Sequence, residues 1–64
     1  MDTLRLRLLG GGILEITVLG EFARMRQYDA IGTLELQYLK RIPAGVYHEG
    51  VWNVFALIQF VESL

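Results

Sequence analysis

The chain has 64 residues, a formal charge of −1 and no cysteine, and hydrophobic residues make up 53% of it. The missing thiols exclude disulfide staples and thiolate metal sites, and a pI near 5.6 offers no global attraction for nucleic acid or anionic lipid. No apolar run approaches the roughly 20 residues that cross a bilayer. Met1-Asp2-Thr3 lacks the basic start of a secretory signal. These features together predict one soluble domain over 1–64, cytoplasmic or, in a virus, host-intracellular, with no membrane partner.

Residues 3–9 alternate strictly, with Leu4, Leu6 and Leu8 on one face and Arg5 and Arg7 on the other. Residues 13–19 repeat the pattern, setting Leu14, Ile16 and Val18 against Glu15 and Thr17. Period-two alternation is the mark of a half-buried strand. Gly10-Gly11-Gly12 between them permits a tight hairpin. Gly20-Glu21 has the form of a type II′ turn, and residues 22–28 read as a third strand. There Phe22, Met25 and Tyr28 also recur at helical spacing, so a short helix is the alternative. Residues 29–32 form a turn and 33–41 a fourth strand.

These turns set a register. Three, two and four loop residues place Arg7 opposite Glu15, Glu15 opposite Arg26 and Arg26 opposite Glu35. The neighbouring polar row is Arg5–Thr17–Arg24–Gln37, and the reverse face is apolar throughout. Because a slip of one residue would turn each strand over, this agreement argues for the meander. Paired Arg-x-Arg triplets are what one face of a strand looks like between acidic neighbours.

Pro43-Ala44-Gly45 ends the fourth strand. The segment HEGVWNVFALIQFVESL is long enough for a helix, with Val51, Val54, Phe55, Ile58 and Val61 as its apolar stripe. A variant makes 46–52 a fifth strand and Asn53 the N-cap of a shorter helix. The expected fold is therefore α+β, a four-stranded antiparallel β-meander followed by one C-terminal helix packed on its apolar face. The helix's other flank, Trp52, Ala56 and Phe60, is expected at an oligomer interface. So short a chain buries only roughly 60% of its unfolded surface, and a mean hydropathy of +0.38 is high for a monomer. A homodimer or larger assembly is expected.

Catalysis is not expected. Ser63 is the only serine, no Walker-type loop or HExxH is present, and His48 beside Glu49 lacks convergent partners. No metal and no cofactor are expected. What remains is a sheet face carrying arginines and aromatics, the mixture used on single-stranded nucleic acid. The bland reading of that face is a solvated or protein-binding surface whose acidic residues neutralise its arginines.

Four antiparallel strands and a helix in about this length resemble the unit of PUR-repeat and Whirly-type single-stranded nucleic-acid binders. GEFARMRQ, residues 20–27, resembles the glycine-phenylalanine-basic strand of PUR repeats, and IPAGVYHEGVWNVFALIQFVE resembles the strand end and aromatic-bearing helix that close such a unit. The resemblance implies nucleic-acid contact through Arg5, Arg7, Phe22, Arg24, Arg26 and Tyr28, and dimers formed through paired units and their helices. The expected function is thus a small non-enzymatic oligomeric protein binding single-stranded DNA or RNA. The alternative is a protein-interaction module, a small regulator or phage-type inhibitor, using the helix flank or the apolar row Leu19, Phe22 and Leu39.

Overall fold

A computed structural model describes residues 2–64. Four strands, β1 (Thr3–Arg7), β2 (Ile13–Leu19), β3 (Phe22–Tyr28) and β4 (Leu34–Arg41), form an antiparallel sheet in chain order. A two-residue ribbon, β5 (Tyr47–His48) with β6 (Val51–Trp52), leads into helix α1 (Val54–Glu62). The chain is an α+β fold with the helix on one face of the sheet. Residues 22–28 are a strand, so the helical spacing of Phe22, Met25 and Tyr28 is incidental. Alternation over seven residues, with Ala23 and Met25 buried, decides it.

The middle hairpin has the expected register, Leu19 opposite Phe22 and Glu15 opposite Arg26. Gly20 at φ +64° supplies the one positive φ of a type II′ turn. Both flanking hairpins differ by two residues. In the first, Leu8 N–H donates to the Gly12 carbonyl at 2.8 Å, so the loop is Leu9-Gly10-Gly11. Arg5 rather than Arg7 then faces Glu15. Gly12 is needed for a different reason: a Cβ there would lie 2.5 Å from the Tyr28 carbonyl oxygen.

In the third hairpin, Asp29 N–H donates to the Thr33 carbonyl, leaving a three-residue loop in which Gly32 takes φ +88°. The Asp29 carboxylate accepts from the N–H groups of Ile31 at 3.1 Å and Thr33 at 2.8 Å, an Asx turn that locks the loop. A bulge at Gln27/Tyr28 adds one more residue of offset. Arg26 therefore faces Gln37 and Phe22 faces Arg41, not Glu35 and Leu39. Each slip totals two, so every side chain keeps its face.

Half of the variant reading of the C-terminal segment is observed: Asn53 caps a shorter helix, but residues 46–52 are not a fifth strand and fold back on themselves as the ribbon. Glu49 (φ +48°) and Gly50 (φ +83°) form its type I′ turn. Tyr47 and Trp52 oppose each other across it, ring centroids 4.7 Å apart. The Tyr47 hydroxyl donates to the Asp2 carboxylate, tying the ribbon to the start of β1. Asn53 caps α1, its Oδ1 accepting from Ala56 N–H at 3.0 Å.

The core joins Leu14, Ile16, Ala23 and Met25 of the sheet to Val46, Leu57 and Phe60, with Trp52, Ala56 and Val61 packed around them. The two helix flanks are thus exchanged relative to expectation. Trp52, Ala56 and Phe60 face the chain's own sheet, and Phe60 is only 4% exposed. Val51, Val54, Phe55 and Ile58 face outward, Phe55 at 82%. Leu57 and Phe60, with Val61 beside them, are the helix residues that pack on the sheet. Burying Leu57 and Phe60 stabilises the fold by about 1.5–3 kcal/mol each.

Candidate binding face on the open sheet

α1 covers one face of the sheet and leaves the other open. The register builds that open face in four rows. They are Leu19–Phe22–Arg41, Thr3–Thr17–Arg24–Leu39, Arg5–Glu15–Arg26–Gln37 and Arg7–Ile13–Tyr28–Leu34. All five arginines of the chain stand on it, because each occupies an outward position of its strand. Lys40 does not, lying opposite the buried Ala23 on the reverse face.

Glu15 is the one carboxylate inside these rows. It lies 3.3 Å from Arg5 and 3.8 Å from Arg26, with its side chain 14% exposed. The Arg26 Nε also donates to Gln37 Oε1 at 2.7 Å. Opposite charges directly across strands contribute roughly 0.2–1 kcal/mol per pair, so Glu15 serves register and holds two guanidinium groups extended. Glu35 sits at the β4 bulge, Glu21 in the type II′ turn, and Asp29, Glu49 and Glu62 on loops and helix. Charge is therefore segregated in a chain that is nearly neutral overall.

Next to that row, Thr17 is 2% exposed, a buried hydroxyl on the open side. Its Oγ1 accepts from Arg24 Nη2 at 3.4 Å and lies 3.0 Å from Thr3 Oγ1. Arg24 Nε has no hydrogen-bond partner among the described residues. Arg7 and Arg24 have no carboxylate within 4.0 Å among the described residues. At the turn end, Arg41 lies over the Phe22 ring, 5.7 Å from its centroid, and 3.5 Å from Glu21. A hollow of about 490 Å³ adjoins them, lined by Gly20, Arg41, Pro43 and Tyr47 among others.

The six residues singled out for nucleic-acid contact, Arg5, Arg7, Phe22, Arg24, Arg26 and Tyr28, all stand on the open face, Phe22 and Tyr28 at opposite ends of β3. The row Leu19, Phe22 and Leu39 is not formed. Arg41 takes the third place, and Leu39 stands beside Arg24 instead. Sequence reasoning missed the capping of Phe22 by Arg41 and the buried Thr17, because both depend on the register. At the end of the β5–β6 ribbon, His48 and Glu49 lie 3.8 Å apart and exposed. No protein-family model, no curated protein and no solved structure matches this chain.

Proposed function

We propose that the open sheet face binds single-stranded DNA or RNA, with arginines on the phosphates and Phe22 and Tyr28 offering rings for bases. One observation carries this reading: the five arginines stand together on one face, where Glu15 pairs with Arg5 and Arg26 and the turn residue Glu21 with Arg41, while the other acidic residues lie before β1 and at turn, bulge, ribbon and helix. Single-strand binders combine such a cationic surface with aromatic stacking platforms. Arg7 and Arg24, unmatched by any carboxylate among the described residues, have no ion pair to give up to a phosphate. Arg5 and Arg26 are held extended by Glu15 and exchange part of that pairing for phosphate. The likeness of residues 20–27 to the basic strand of PUR repeats agrees with this reading.

The test is a salt titration of binding to a fluorescently labelled oligonucleotide. Affinity falls linearly in log–log form, by about 0.7 per phosphate contact for single strands. Arg7→Ala with Arg24→Ala weakens binding and makes the slope shallower by about that amount per arginine lost. Absence of binding at low salt removes the reading.

A second reading has its own observation. Val51, Val54, Phe55 and Ile58 form an exposed apolar flank beside a groove of about 420 Å³ between β1 and α1, and exposed patches of this kind mark protein-interaction sites. It makes the chain a small protein-binding module, and predicts that Phe55→Lys abolishes the activity while the arginine variants leave it intact.

A further inference from the structure

We propose that β4 is the edge at which two copies of the chain join, continuing their sheets into one antiparallel sheet of eight strands. β4 is the longest strand and closes one side of the sheet. Seven of its eight residues are exposed, only Tyr38 being half-buried. Leu34, Leu36 and Leu39 are among them, at 47%, 51% and 64%. On the helix side only Tyr38 of this strand packs against the core, and the rest of β4 is left exposed. A long edge with unpaired backbone groups and exposed leucines is a template for another strand.

The sequence of β4 selects its own copy as that strand. A two-fold axis joining antiparallel edges stands perpendicular to the sheet, so facing residues come from the same face and their numbers sum to an even value. With Tyr38 on the axis, Tyr38 faces Tyr38 of the second copy, Gln37 faces Leu39, Leu36 faces the stem of Lys40, and Glu35 meets Arg41. The registers on either side lose the ion pairs. Centring on Gln37 sets Glu35 against Leu39, and centring on Leu39 sets it against Pro43, which has no N–H to donate. In its own chain Glu35 has no cation within 4.0 Å among the described residues. Edge charges that discourage other partners thus specify this one. The same axis keeps both open faces on one side, so the arginine surface doubles in length; the joint itself does not depend on that surface binding nucleic acid.

Sedimentation equilibrium tests the joint. The wild-type chain is expected at twice the 7.3 kDa of one copy in the micromolar range. Glu35→Arg sets arginine against arginine at both ends and raises the dissociation constant about tenfold; adding Arg41→Glu restores it. Glu35 is exposed, and far-UV circular dichroism checks that these variants stay folded. Because the chain has no cysteine, Gln37→Cys mixed with Leu39→Cys gives disulfide-linked heterodimers on mild oxidation. A mass of 7.3 kDa at every concentration overturns the proposal. So does a dimer indifferent to Glu35→Arg but broken by Ile58→Lys, which places the joint on the helix flank.

Discussion

The Arg41 guanidinium lies over the Phe22 ring at 5.7 Å, and the same group is 3.5 Å from Glu21. An exposed cation–π pair of this kind contributes about 0.5–1 kcal/mol. It also keeps an aromatic ring in place at the end of the basic face, with one side capped by a cation that a phosphate can recruit. Phe22→Ala is expected to weaken binding of a labelled oligonucleotide by about 1–3 kcal/mol if one base stacks there. Stability should change little, because the ring is 43% exposed. Fluorescence anisotropy and urea denaturation on the same sample separate the two effects.

Helix phase is tested by a pair of phenylalanines. Phe60 is buried in the core and Phe55 points to solvent. Phe60→Ala is expected to cost about 3–5 kcal/mol, enough to unfold most of so small a domain. Phe55→Ala should stay within about 0.5 kcal/mol of wild type. Thermal denaturation at low concentration reads both, and equal effects would put the helix in the wrong rotation.

Glu49 is the one described residue other than glycine with positive φ, at +48°. Its side chain makes only an exposed 3.8 Å contact with His48, so little opposes replacement. Left-handed backbone costs an L-residue about 1–2 kcal/mol, and Glu49→Gly removes that strain at the loss of some unfolded-state restriction. A net gain of about 0.5–1 kcal/mol is expected, seen as a higher urea midpoint with unchanged slope.

The Tyr47 hydroxyl donates to the Asp2 carboxylate, and that hydrogen bond, with lesser contributions from desolvation and the Asp2 charge, raises the Tyr47 pKa above its ordinary 10.0. A raised folded pKa means the native state holds the proton more tightly. Its contribution to stability is therefore complete below about pH 10 and is lost as pH rises through the Tyr47 value. Absorbance titration should show Tyr47 ionising above its ordinary 10.0, and Asp2→Asn should bring it back toward that value.

Much of the fold was legible because alternation at Leu4, Leu6, Leu14, Ile16 and Met25 allows one answer about which face is inside. Which element each strand residue belonged to followed from that, and so did the membership of the open face. Register was less legible. Three consecutive glycines permit a turn at two positions, and only the approach of Gly12 to the Tyr28 carbonyl shows which pair bends. The bulge at Gln27/Tyr28 carries no local signal, yet together with the three-residue third loop it moves Arg26 from Glu35 to Gln37 and brings Arg41 onto Phe22. The helix flank was misplaced because every face of residues 51–61 carries large apolar side chains, so periodicity could not choose among them.

The central claim is that the arginine-bearing face, and not the helix flank, is the working surface. Amide chemical-shift mapping of ¹⁵N-labelled protein against a short oligothymidylate tests it most directly. The predicted result is movement concentrated at Arg5, Arg7, Arg24, Arg26 and Tyr28, fading as salt is raised. Shifts confined to Val54, Phe55 and Ile58, or no shifts at low salt, would contradict it.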